Sequence, residues 1–236
     1  NIVNTNTFGA NSLKFGNKLP DIIKAAVENA QRAKKLVEED SSLLPKIQRT
    51  KAFNPVTAPH FVALDIGPCG KLLKPLGDLD FEDCVALFTE VATVGLQAGV
   101  DLVLVETMND CYETKACVLG IKEAMEKTGI QKPIIASNVY DADGRLLTGS
   151  TVTEMVAILE GLGVSALGMN CSLGPVQMKE IIPALVSETS LPILIKPNAG
   201  LPKSVNGGTV YDVDETLFAS TMKEMALMGV HVLGGC

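Results

Sequence analysis

Short apolar runs alternate along this chain with longer stretches in which apolar residues recur every three or four positions. Seven of the short runs read as strands: Ile2–Phe8, Phe61–Ile66, Leu102–Glu106, Ile134–Asn138, Ala166–Asn170, Ile193–Lys196 and His231–Leu233. The second, third, fourth and sixth are almost unbroken in Val, Ile, Leu and Ala, as strands covered on both faces should be. The longer stretches read as helices. Leu19–Glu38 places Ile22, Ile23, Ala26, Val27, Ala30 and Ala33 on helical spacing. Phe81–Ala98 follows Asp80, a residue suited to cap a helix start. Tyr112–Thr128, Thr153–Leu162 and Asp214–Met228 each end before a glycine, at Gly129, Gly163 and Gly229. Val176–Thr189 follows Gly174-Pro175, and its Pro183 is expected to bend or break it. Residues 40–59 show no clear period and read as a short helix plus loop.

Strands alternating with helices are the signature of a parallel sheet with crossover connections. The predicted fold class is α/β: a (β/α)8 TIM barrel one strand short of closure, with the first strand and the last helix missing. One domain over residues 1–236 is expected, since such a barrel needs roughly 250 residues. The chain starts at Asn1 rather than Met and stops at Cys236 inside a strand end, so it reads as an internal piece of a longer protein. The structural rival is a doubly wound open sheet. No Gly-x-Gly-x-x-Gly follows the first strand, which leaves a dinucleotide site without support.

Composition narrows the function classes. The chain is 47% hydrophobic but only 4% aromatic and has no Trp, which suits layers of small and branched side chains. A formal charge of −7 without any Lys/Arg run argues against a nucleic-acid partner. No stretch has the length of a membrane span and no signal peptide is visible. Six cysteines in 236 residues are not a small disulfide scaffold. Reduced thiols in a cytoplasmic protein are the simpler reading.

In a parallel barrel the chemistry sits at the C-terminal ends of the strands. Those ends are polar here: Asn4-Thr5-Asn6-Thr7, Asp65, Glu106-Thr107, Ser137-Asn138, Asn170-Cys171-Ser172, Lys196-Pro197-Asn198 and Gly234-Gly235-Cys236. Cys171 and Cys236 are the informative pair. If the missing strand is counted as the first, they end barrel strands six and eight. Alternate strands contribute to one layer, so the two thiols can converge on a zinc ion. Two thiolates do not complete a tetrahedral site, and the residue after Cys236 is the obvious source of a third ligand. The competing reading of any one cysteine is a buried small hydrophobe.

The segments Leu167-Gly168-Met169-Asn170-Cys171-Ser172-Leu173-Gly174-Pro175, Pro197-Asn198-Ala199-Gly200-Leu201-Pro202 and Gly234-Gly235-Cys236 together resemble the homocysteine S-methyltransferase family. Asn4-Thr5-Asn6-Thr7-Phe8-Gly9, Ile66-Gly67-Pro68 and Val105-Glu106-Thr107 fit the same pattern in the same order. The likeness covers the whole chain. Within the family it is greatest to the homocysteine-binding module of cobalamin-dependent methionine synthases. The resemblance implies a zinc held by three cysteines, matched here by Cys171 and Cys236, with the third beyond the C-terminus. It also implies an Asp-Gly motif on the family's first strand, which this sequence lacks.

By the same resemblance the substrate is homocysteine, whose zinc-bound thiolate takes a methyl group to give methionine. The donor implied is methylcobalamin on another module, with corrinoid- and folate-binding modules or proteins as partners. Three cysteine thiolates outweigh the +2 charge of zinc, so the bound substrate sulfur stays nucleophilic. Glu106 is the candidate for the substrate ammonium; its alternative is a carboxylate paired with a nearby Lys or Arg. Asn198 is either a substrate or zinc contact or a turn-former before Ala199-Gly200. Asn170 and Ser137 complete the candidate substrate-binding set.

The remaining cysteines read as structural: Cys84 and Cys117 within helices, Cys69 and Cys111 just past strand ends. His60 and His231 fall at or before strand starts, away from the chemistry. Asp141-Ala142-Asp143-Gly144 reads as a polar turn rather than a calcium loop. Three alternatives stay open. They are a betaine- or S-methylmethionine-dependent enzyme of the same family, a zinc hydrolase for which two histidines are too few and poorly placed, and a non-catalytic zinc-binding barrel. Residues 1–236 alone are expected to bind zinc weakly and to lack activity.

Overall fold

The computed structural model of the protein describes residues 1–39, 58–200, 203–205 and 208–236. The chain enters at β1 (Ile2–Asn4), passes a short helix α1 (Ser12–Phe15) and a 3-10 turn, and runs into α2 (Leu19–Glu39). Then β2 (Phe61–Ile66), α3 (Phe81–Gln97), β3 (Leu102–Met108), α4 (Cys111–Thr128), β4 (Ile134–Asn138), α5 (Val152–Gly161), β5 (Ala166–Asn170), α6 (Pro175–Glu188) and β6 (Ile193–Lys196) follow in strict alternation. An antiparallel hairpin, β7 (Lys203–Val205) with β8 (Gly208–Val210), precedes α7 (Glu215–Leu227) and β9 (Val232–Leu233).

Seven strands form one sheet in the order β1-β2-β3-β4-β5-β6-β9, and every neighbouring pair is parallel. The predicted strands are all present. The first is shorter than expected, ending at Asn4, and the third is longer, reaching Met108. The segment 40–57, read above as helix plus loop, lies outside the described residues.

Alternation along each strand sorts side chains into two layers. Val62, Leu64, Val103, Val105, Leu167, Met169, Ile193 and Ile195 belong to the large core between sheet and helices. Ala63, Leu102, Leu104, Ile135, Ala166 and Leu194 form a separate cluster on the other, inward face, joined by Val232. The sheet curls around this inner cluster. Between its edge strands β1 and β9 lies a cavity of about 700 Å³, lined among others by Ile2, Leu104, Ile135, Leu194 and Val232.

Local chemistry explains most helix ends. Asp110 caps α4, accepting from the Tyr112 and Glu113 N–H groups at 2.7 and 3.4 Å, and Gly129 closes it in the left-handed region at φ 71°. Thr151 and Glu154 form a reciprocal capping box on α5, and Asp214 accepts from Leu217 N–H at 2.8 Å to start α7. Asp80 differs from expectation. It stands at the N-cap of α3, but its carboxylate makes no capping bond and pairs instead with Lys74 at 2.9 Å.

Pro183 also differs, since α6 runs unbroken through it. Met178, Ile181, Ile182 and Leu185 are all buried on that helix. Their packing against the sheet offsets the lost backbone hydrogen bond. Gly168 is required by close approach: a Cβ there would lie 1.8 Å from the Leu194 carbonyl oxygen on the neighbouring strand.

Candidate active site

The inward parity continues to the C-terminal ends of the strands, and there it changes from apolar to polar. Asp65 follows Ala63, Glu106 follows Leu104, Ser137 follows Ile135, and Lys196 follows Leu194, each two residues further along an inward-facing strand. Asn170 stands four residues beyond Ala166 on β5. A polar cluster therefore caps the inner hydrophobic layer. All except Lys196 are buried.

Glu106 and Lys196 form an ion pair across the mouth, with side chains only 10% and 14% exposed. The pairing alternative considered for Glu106 is thus what the structure contains, and its partner comes from the end of β6. Asp65 joins this pair. Burial, and then the neighbouring Glu106 charge, push its carboxyl up to about 8, against a smaller opposing pull from Lys196. Its Oδ1 is buried with no hydrogen-bond partner among the described residues. Asp65 and Lys196 were visible as strand-end residues, but their coupling to Glu106 was missed. The available signal was that all three share the parity of the inward positions.

Asn170 is the hub on the other side. Its Oδ1 accepts from Ser137 Oγ at 2.5 Å and from Thr107 N–H at 2.9 Å. Its Nδ2 donates to Thr107 Oγ1 at 2.8 Å and to Cys236 Sγ at 3.8 Å. Thr107, Cys171 and Ser172 all have φ near 60°, at 63°, 61° and 62°. Side chains other than glycine rarely adopt this region, and such strain clusters at functional sites. The strain is held by backbone bonds: Cys171 N–H to the Lys196 carbonyl at 3.0 Å, Cys236 N–H to the Pro197 carbonyl at 2.9 Å, and Asn198 N–H to the Leu173 carbonyl at 3.0 Å.

These bonds bring the ends of β5, β6 and β9 together, and with them Cys171 and Cys236. Burial, and next the adjacent Cys171, raise the Cys236 thiol above its usual range, and the Glu106 charge is felt there as well. Two thiols brought together at one end of the sheet are a donor set suited to a divalent cation, since zinc binds thiolates. The residues present therefore supply two donors of the kind zinc takes. Asn198 lies beside them in the loop after β6, half-buried.

His60 and His231 sit at the opposite end of the sheet, His231 Nδ1 accepting from the Ile193 N–H at 3.3 Å. Asp141 folds its own loop, accepting from Asp143 and Arg145 N–H groups at 2.9 Å each. That is the polar turn expected. Among the described residues no helix is long and apolar enough to cross a membrane.

The raised Asp65 carboxyl has a consequence for stability. Between its ordinary value of 3.8 and about 8, the folded chain holds a proton that the unfolded chain has released. Its contribution is full at low pH and is lost as pH rises through about 8, with a slope of up to about 1.4 kcal/mol per pH unit. Urea midpoints should fall from about pH 5 to about pH 8, and Asp65→Asn should flatten the fall. An unchanged slope in the variant would refute the assignment.

A family model described as homocysteine S-methyltransferase matches residues 1–236. The chain is 32% identical over 238 residues to the methionine synthase of Mycobacterium leprae and 31% identical over 235 residues to that of Mycobacterium tuberculosis. It is covered at 100% and 99% in these matches and spans 19% of each relative's length. Among solved structures, the apo and metallated forms of the homocysteine methyltransferase MmuM from Escherichia coli share its fold. Their TM-scores are 0.71 and 0.73 at 22% and 20% identity, and the chain is fully covered while covering 74% of each. The motifs, the parallel fold and the match along its whole length agree: the chain belongs to the homocysteine S-methyltransferase family.

Proposed function

We propose that residues 1–236 are a homocysteine-binding barrel domain that presents the homocysteine thiolate to a methyl donor, giving methionine. The observation that carries this reading is the division of the mouth into two halves. Thiols Cys171 and Cys236 lie past the ends of β5 and β9, and the buried carboxyl groups of Asp65 and Glu106 at the ends of β2 and β3, with Lys196 of β6 reaching across to Glu106. Homocysteine has the same division, a thiol at one end and a zwitterion at the other.

Cys171 and Cys236 hold the zinc in this reading. When bound, zinc deprotonates a coordinated thiol outright and keeps a position open for substrate sulfur. Glu106 receives the substrate ammonium, while Lys196, already beside it, is placed for the substrate carboxylate. Asn170 fixes the geometry between the halves, through Ser137 and Thr107 on one side and Cys236 on the other. Asn198 borders the thiols and contacts the substrate or the metal. The sulfur's electron pair then forms the new S–CH3 bond, and the bond to the donor breaks with its pair left on the donor. The donor proposed is methylcobalamin carried by another module, with a folate-binding module recharging it. The Cys171-Ser172-Leu173-Gly174-Pro175 stretch favours this branch.

Homocysteine added to the chain in saturating zinc is expected to release close to one proton per site at neutral pH, read as the buffer dependence of the calorimetric heat. Homoserine, with oxygen in place of sulfur, should bind more than about 10-fold more weakly. Equal binding of the two ligands would sink the thiolate reading.

A further inference from the structure

A second group of metal-ligating side chains lies apart from the barrel mouth. Cys69 follows β2 in the loop to α3, Cys84 stands on the first turns of α3, and Glu113 on the first turn of α4. All three are buried, at 8%, 0% and 3% exposure. The two sulfurs and a Glu113 carboxylate oxygen lie within 4.8 Å of one another. Cys117, fully buried, stands one helical turn beyond Glu113 on the same side of α4. The loop is tied in place around them: Cys69 N–H donates to Glu113 Oε1 at 2.7 Å, and Asn11 Nδ2 donates to the Cys69 carbonyl at 3.2 Å.

We propose that Cys69, Cys84 and Glu113 form a second metal site, for a thiophilic divalent cation of the zinc type. Three elements supply the ligands, so the ion staples the β2–α3 loop to the starts of α3 and α4.

Two physical arguments support this beyond proximity. The first is spacing. Bonds of about 2.3 Å to sulfur and about 2.0–2.2 Å to oxygen in a tetrahedron place ligand atoms roughly 3.5–3.8 Å apart. A cluster already inside 4.8 Å needs to contract by no more than about 1.3 Å. The second is charge. The side chains that bear most on the group are Cys69, Cys84, Cys117, Glu113 and Asp110, every one of them acidic. The helix starts contribute only partial positive charge. A divalent cation satisfies all the donors at once, and the packing leaves it a rigid frame. A Cβ on Gly120 of α4 would lie 2.6 Å from the Val85 carbonyl of α3, so these two helices meet backbone to backbone.

The test separates this site from the mouth. In the Cys171→Ser/Cys236→Ser chain, kept reduced with a phosphine, Co²⁺ is added and its absorption followed. One equivalent with thiolate-to-cobalt charge-transfer bands and tetrahedral d–d bands is expected, with a rise in the thermal midpoint. Cys84→Ser in the same background should weaken cobalt binding more than about 10-fold, and Glu113→Gln should shift the d–d bands. Absence of charge-transfer bands in the background chain overturns the proposal whatever the folding of later variants. Bands undiminished in a Cys69→Ser/Cys84→Ser chain with native circular dichroism overturn it as well. Because the mouth cysteines are removed throughout, failure here leaves the homocysteine reading untouched.

Discussion

Replacing Cys171 by alanine is expected to lower zinc affinity at the mouth by at least about 100-fold. A structural zinc is worth roughly 10–16 kcal/mol over four ligands, so one thiolate accounts for about 3 kcal/mol. Cys171 is one of only two thiols that the described residues bring to the mouth, which puts the loss at or above that share. The fold should survive. Cys171 holds its strained backbone, φ 61°, through the N–H bond to the Lys196 carbonyl, and alanine retains that bond and pays the same strain. Removing Cys171 also removes a neighbour that raises the Cys236 thiol, so Cys236 should ionise at lower pH in the variant. Competition with a chromophoric chelator gives the affinity, and alkylation rate against pH gives the thiol. With the second cysteine group removed by Cys69→Ser/Cys84→Ser, a Cys171→Ala variant that keeps full zinc affinity would refute the mouth as the metal site.

The sequence made the strands legible because a parallel sheet buried on both faces has to be written in unbroken apolar runs. The runs at 61–66, 134–138 and 193–196 could hardly be anything else, and these three strands and 166–170 match their expected boundaries. Glycine and capping signals placed the helices to within one or two residues for the same local reasons. The hairpin Lys203–Val205 with Gly208–Val210 was missed although Asn206-Gly207 is a strong turn signal, because a strand of three residues has too little pattern to register. Pro183 misled because local propensity was weighed without the burial of Met178, Ile181, Ile182 and Leu185 that overrides it.

At the site, Cys171, Cys236, Asn170 and Glu106 were legible from their place at strand ends. What they touch was not. The Glu106–Lys196 pair joins residues 90 apart in sequence, and the geometry that pairs them is the curl of the sheet, a property of no single segment. The Cys69–Cys84–Glu113 group was illegible for a different reason. A cysteine inside an amphipathic helix has the same pattern as an alanine or valine there, and only the path of the β2–α3 loop places Cys69 against it.

The buried charges at the mouth should respond to mutation in a strongly non-additive way. Removing one partner of a buried ion pair costs about 3–5 kcal/mol when the other charge is left alone. Glu106→Gln does not leave Lys196 alone, because Asp65 stands beside it. Part of what holds the Asp65 carboxyl protonated is the Glu106 charge itself. With that charge gone, Asp65 ionises more readily and takes over the pairing, so Glu106→Gln alone should cost no more than about 2 kcal/mol at neutral pH. Asp65→Asn alone leaves the Glu106–Lys196 pair intact and should cost less still. The double variant Asp65→Asn/Glu106→Gln strips Lys196 of both carboxylates while its side chain remains 14% exposed, and there the full cost of about 3–5 kcal/mol should appear. Urea unfolding of the four proteins measures the coupling. Additive losses would mean that Asp65 does not substitute for Glu106. Homocysteine binding should not follow the same pattern. Once Asp65 is committed to Lys196, the substrate ammonium has lost its own carboxylate. Glu106→Gln should therefore weaken homocysteine more than about 10-fold even where stability is nearly restored. Binding that tracks stability instead would assign Glu106 to the fold rather than to the substrate.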